Sequence, residues 1–139
     1  MFLQRFFIHL ICQRTIRLCK ANKVNKTAPR EFEIPFTGGF VMQAGCCYRK
    51  TQEGIVSMSF RAGKNGEEIA AGDHLIAIMP EGYRPTIVAH STIVSWPQVT
   101  TTGLLWVAHT GEVRVRVSAS IPAGVSVSIC GEISYVAAQ

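Results

Sequence analysis

The sequence predicts an all-β protein, an antiparallel β-sandwich or jelly roll preceded by a short basic leader that reads as helical. Three observations carry this. From Glu31 onward, short apolar and β-branched runs alternate with Gly, Pro and Asn turn signals, and no convincing helical period intervenes. Two of those runs alternate with a period of two, the mark of a half-buried strand: Ile55, Ser57, Ser59 against Val56, Met58, Phe60, and Val113, Val115, Val117 against Arg114, Arg116, Ser118. In Asp73–Pro85 (D-H-L-I-A-I-M-P-E-G-Y-R-P) an apolar run stops at Pro80, which can neither donate to a ladder nor continue it.

Taken in order, Phe32–Phe36 is a first strand, stopped by Thr37-Gly38-Gly39. Phe40–Gln43 and Cys46–Lys50 follow, and Thr51–Gly54 turns the chain into Ile55–Phe60. Arg61–Gly66 is a turn whose glycines accept positive φ. Gly66–Gly72 reads as a loop or short strand. The next strands are Leu75–Met79 and Thr86–Val94, then a loop over Pro97–Gly103. Leu104–His109, the tight turn Thr110-Gly111 and Glu112–Ser120 form the most secure hairpin. Val125–Val136 closes the domain, with Ser126, Ser128 and Ser134 giving it a mildly polar face.

The length of 139 residues fits one domain. The net charge of +5 belongs to the leader: residues 1–30 carry seven basic groups and no acid, whereas residues 31–139 carry seven basic groups against nine acids. The two parts hold +7 and −2. A nucleic-acid binder places its basic stripe on the folded body, and this body has none.

The five cysteines form no CxxC, and His9, His74, His90 and His109 are not spaced as zinc ligands, so neither a metal nor a cofactor is expected. Reduced, small apolar thiols are the expectation. No G-x-S-x-G elbow occurs, and Glu67, Glu68 and Glu81 face no defined acid or nucleophile, so the chain is not expected to be an enzyme.

In residues 1–23, Leu3, Phe7, Leu10 or Ile11, and Leu18 fall near one helical face, with Arg and Lys opposite. No apolar run approaches the ~20 residues that span a bilayer, so membrane insertion is not expected. A secretory signal, an organelle presequence, an oligomerising or interfacial helix, and translation from an upstream start codon all remain open for this leader. Asn22–Pro29 reads as a linker, which sets residues 1–30 apart from a domain over 31–139.

Residues 31–139 resemble the C-terminal head domain of bacteriophage tail-fibre and receptor-binding proteins. The likeness runs through Tyr48-Arg49-Lys50 and Gly54-Ile55-Val56, then Ile69, Gly72 and Leu75–Pro80 to Glu81-Gly82-Tyr83-Arg84-Pro85, the most specific phrase. It continues in Gly111-Glu112-Val113 and Ile129–Tyr135. The Cys46-Cys47 pair and the lack of a stalk depart from the pattern, which leaves both a complete virion protein and a prophage fragment open.

The resemblance implies a non-enzymatic homotrimer in the virion tail, made in a bacterial host cytoplasm, that recognises a host surface glycan. A purely structural trimerisation or capping module, or a jelly roll like that of C1q and tumour necrosis factor, is the alternative. Sugar recognition needs an aromatic face and planar polar groups. The ligand-binding candidates are therefore Trp96, in the loop S-W-P-Q, with Gln98, Tyr83, Arg84, His90 and His109. Each also has a structural reading: Tyr83 and Arg84 suit a loop anchor or subunit contact, and His109 an ordinary turn. Trp106, within L-L-W-V, reads as core.

Overall fold

The computed structural model describes residues 27–124 and 126–139. The leader helix and most of the linker expected from the sequence lie outside the described residues. The nine described strands are β1 (Glu31–Phe32), β2 (Val41–Met42), β3 (Cys47–Lys50), β4 (Ile55–Gly63), β5 (Gly72–Ile78), β6 (Ala89–Trp96), β7 (Thr102–Val107), β8 (Glu112–Val117) and β9 (Ser128–Val136). All pairings are antiparallel and run in the order β1-β3-β4-β9-β6-β7-β8-β5, with β2 beside β4.

The one sheet curls into two facing halves that share a corner. β4 and β9 pair over eight positions, from Ile55↔Val136 to Ala62↔Ile129. β9 and β6 pair over only four, from Ile93↔Gly131 to Trp96↔Ser128. Beyond Gly131, β6 leaves β9: the Ser91 hydroxyl donates to the Glu132 carbonyl at 2.6 Å, and the next contact is the bridge Pro85↔Ala137. The halves β1-β3-β4-β9 and β6-β7-β8-β5 can therefore turn their apolar faces towards each other.

Between them lies the core. Val56, Ile69, Ile76, Met79, Leu105, Val107, Val113, Val115 and Ile129 are fully buried. The alternation that predicts β8 holds, with Val113, Val115 and Val117 inside and Arg114 and Arg116 on the outer face.

The predicted strand Phe32–Phe36 is not continuous. Pairing with β3 ends at Phe32, and the chain crosses to the opposite sheet edge, where Phe36 bridges Ala77 and the Thr37 amide donates to the Ile76 carbonyl at 2.8 Å. Pro35, lacking an N–H, sits in this crossing, which ties the two free edges together. β4 runs three residues past its predicted end, so the turn narrows to Lys64-Asn65-Gly66, with Asn65 at φ 54° and Gly66 at φ 81°. The predicted segment Gly66–Gly72 is a loop held by the Ile69↔Ile121 bridge as far as Ala71, and Gly72 already opens β5.

β6 begins at Ala89 rather than Thr86 and continues through Trp96. Trp96 thus ends a strand instead of sitting in a loop, because it pairs with Ser128. Trp106 is also displaced from its expected place. It is half-buried on the outer face of β7, with the Arg116 guanidinium 5.7 Å from its ring centroid, because Leu105 and Val107 take the inward positions.

Cys46, Cys47 and Cys130 are free thiols. Cys46 fills the gap between β2 and β3: its Sγ accepts the Arg61 amide and lies against the Arg61 carbonyl, both at 3.1 Å.

Tyr135 closes the end of the sandwich near Pro85. Its buried hydroxyl donates to the Tyr83 carbonyl at 2.7 Å, and burial, with Tyr48 nearby, pushes its phenol well above the usual tyrosine range. A raised folded-state value favours the protonated ring, so this contribution to stability is complete below the unfolded tyrosine value of about 10 and is lost as pH climbs beyond it. Tyr135→Phe should cost about 1–3 kcal/mol at neutral pH in urea denaturation, since the Tyr83 carbonyl loses its donor. It should also make the fall in stability above pH ~10 shallower than in the wild type.

Candidate functional site

At the other end of β6 the chain builds a cleft around Trp96. The hydroxyl of Ser95, a buried side chain, organises the loop that follows. It donates to the Gln98 carbonyl at 2.6 Å and accepts the amides of Thr100 and Thr101 at 3.1 and 3.0 Å. The Ser95 amide donates to the Thr101 carbonyl at 2.8 Å, and the Trp96–Pro97 peptide is cis. The loop therefore folds back beside the indole, which is 44% exposed. The cleft has a volume of about 330 Å³ and is lined by Trp96, Pro97, Gln98, Ile121, Pro122 and Val127, among others.

Arg61 braces the indole. Its guanidinium carbon lies 5.0 Å from the ring centroid, a cation–π contact, while its Nε donates to the Ser128 hydroxyl at 3.1 Å. Ser128, predicted to lie on a polar outer face, is fully covered at this point, whereas Ser134 stays exposed and donates to the Ser57 hydroxyl at 3.0 Å. Ion pairs among the described residues join Arg49 to Glu31, Arg114 to Glu112 and Arg116 to Asp73, which leaves Arg61 without a carboxylate partner. The Arg116 pair is a two-pronged hydrogen bond that holds the Asp73 carboxyl below its usual range.

The residues singled out in the sequence divide between two ends of the molecule. Trp96 and Gln98 share the cleft. His90 lies six residues earlier on β6, ~20 Å away along the strand, exposed and opposite Trp106. Tyr83, Arg84 and His109 belong to that far end. Tyr83 is half-buried, edge-on to Phe32 and Tyr48 with centroids 5.9 and 5.1 Å away. The Nε of Arg84 donates to the Met79 carbonyl at 2.9 Å, and His109 is exposed in the β7–β8 turn. Arg61, the residue that sets the indole, had no signal in the sequence. It stands 35 positions from Trp96 and reaches it across β9, whose Cys130 pairs with Arg61 and whose Ser128 pairs with Trp96.

This antiparallel fold is similar to those of two solved phage receptor-binding structures. Among twelve matching solved chains is the receptor binding protein gp15 of Listeria phage PSA, with a TM-score of 0.65 and 14% identity over 95% of this chain and 79% of that one. Another is the head domain of the lactococcal phage bIL170, with a TM-score of 0.58 and 11% identity over 80% of this chain and all of that one. No protein-family model and no curated protein matches the sequence. At these identities the likeness is one of fold.

Proposed function

We propose that this protein is the head of a phage or prophage tail fibre, a non-enzymatic homotrimer of the virion tail that adheres to a saccharide on the host cell surface. On this reading residues 1–30 are a leader and linker, and residues 31–139 are the head, made in the host cytoplasm before assembly. The observation that carries the reading is an exposed, braced indole in a cleft at one end of a fold shared with two receptor-binding heads. An aromatic face meets the C–H surface of a sugar, and neighbouring amide and guanidinium groups meet its hydroxyls.

The labelled protein should bind some bacterial strains and not others, and purified wall polysaccharide from a bound strain should displace it. Failure of every wall polysaccharide to displace it would overturn the saccharide reading. Light scattering with size exclusion should give three times the monomer mass; a stable monomer would count against the trimer.

One observation supports a trimer on this reading and on the purely structural alternative alike. Ile55 and Val136, directly paired across β4 and β9, are 42% and 60% exposed, an apolar pair of the kind that subunit contacts cover. A trimer that binds no strain would decide for a capping module.

A further inference from the structure

We propose that the Trp96 cleft and the depression beside it form one elongated site that takes an oligosaccharide of two or more units, with Arg61 serving both halves. The proposal rests on the saccharide reading above and extends it. The second depression encloses about 630 Å³ and is lined by Arg61, Ser59, Thr92, Val94, Cys130 and Glu132. Its alignment with the cleft follows from register. Trp96, Val94 and Thr92 are alternate residues of β6 and share the outer face with Ser128, Cys130 and Glu132 of β9, which are joined through Trp96↔Ser128 and Val94↔Cys130. Arg61 and Ser59 of β4 continue the same rows through Arg61↔Cys130 and Ser59↔Glu132. From Trp96 to Thr92 the trough runs ~13 Å along the strand, longer than a single pyranose ring.

The two halves differ in chemistry. At Trp96 the wall is aromatic and apolar. In the second half Val94 and Cys130 make a neutral floor, the thiol being pushed up by burial, with Arg61 pulling the other way. Arg61, Thr92 and Glu132 line the same depression, and the Glu132 carboxylate is exposed and accepts a long 3.4 Å hydrogen bond from Ser59 Oγ. A carboxylate and a guanidinium lining the same trough can each take a pair of neighbouring sugar hydroxyls. Because Arg61 already lies against the indole, one sugar stacked on Trp96 places the next unit against its guanidinium.

The test uses the full chain and oligosaccharides of graded length, released by partial acid hydrolysis from the wall polysaccharide of a strain that the protein labels. Calorimetric affinity should rise about tenfold or more from the single sugar to the two- and three-unit fragments. Glu132→Ala, a change at an exposed position, should remove that rise. Trp96→Ala should weaken every length. Affinity that does not grow with length, or a rise that Glu132→Ala leaves intact, overturns the two-part site while a Trp96 effect still upholds the saccharide reading. Binding of no fragment at any length overturns both.

Discussion

Replacing Gly103 with alanine should destabilise the fold by more than about 3 kcal/mol, enough to lower its denaturant midpoint sharply. Gly103 sits in β7 between Ile93 of β6 and Val117 of β8. A Cβ built there would run into the carbonyl oxygen of Arg116, with Ile93 Cδ1 and Cγ1 each 3.0 Å away. Arg116 belongs to β8, which is paired on one side with β7 and on the other with β5, so its carbonyl cannot retreat without opening a ladder. Gly131 is an informative contrast. Its Cβ would meet the Phe60 ring at 2.9 Å and Ile93 Cγ2 at 3.0 Å, both side-chain atoms that can shift. Gly131→Ala should therefore cost about 1–3 kcal/mol, the usual range for overpacking. Equal losses for the two variants in urea denaturation would show that the β7–β8 approach is not the constraint argued here.

Trp96→Ala should weaken adhesion to labelled cells by about thirtyfold or more, the loss expected when a central aromatic anchor worth ~2 kcal/mol is removed. Its effect on stability should stay within about 1 kcal/mol, because the indole lies half outside the fold and the loop behind it is organised by Ser95. Gln98→Ala should have a smaller effect on loop geometry still, since the loop uses the Gln98 backbone carbonyl rather than its side chain. Adhesion isotherms paired with thermal unfolding separate the two effects. A Trp96→Ala protein that adheres like the wild type would move the binding surface away from this cleft.

Much of the architecture was legible because it depends on local rules. The alternation of Val113, Val115 and Val117 with Arg114 and Arg116 tells which face of β8 is inside, and Pro80 with Gly111 marks where β5 and the β7–β8 turn end. Strand boundaries were less legible where pairing overrides pattern. Ser128 draws Trp96 into β6, while the crossing at Pro35 breaks what reads as one strand.

The candidate site was legible in part. Trp96 and Gln98 lie close in the chain and meet in the cleft, but the Tyr83-Arg84 phrase folds to the far end. Arg61 and Glu132 were hidden because their places follow from register across β4, β9 and β6, which no local pattern encodes. Trp106 misled for a related reason: an aromatic residue within an apolar run looks buried until the phase of the strand is known.

The central claim, adhesion to a surface saccharide through the Trp96 cleft, is tested most directly by binding wild-type and Trp96→Ala protein to cells of a labelled strain after either periodate oxidation or protease treatment. The account predicts that the wild type binds protease-treated cells fully, binds periodate-treated cells no better than Trp96→Ala does, and far outbinds that variant on untreated cells. Wild-type binding that survives periodate and is lost after protease would contradict it and make the receptor a protein.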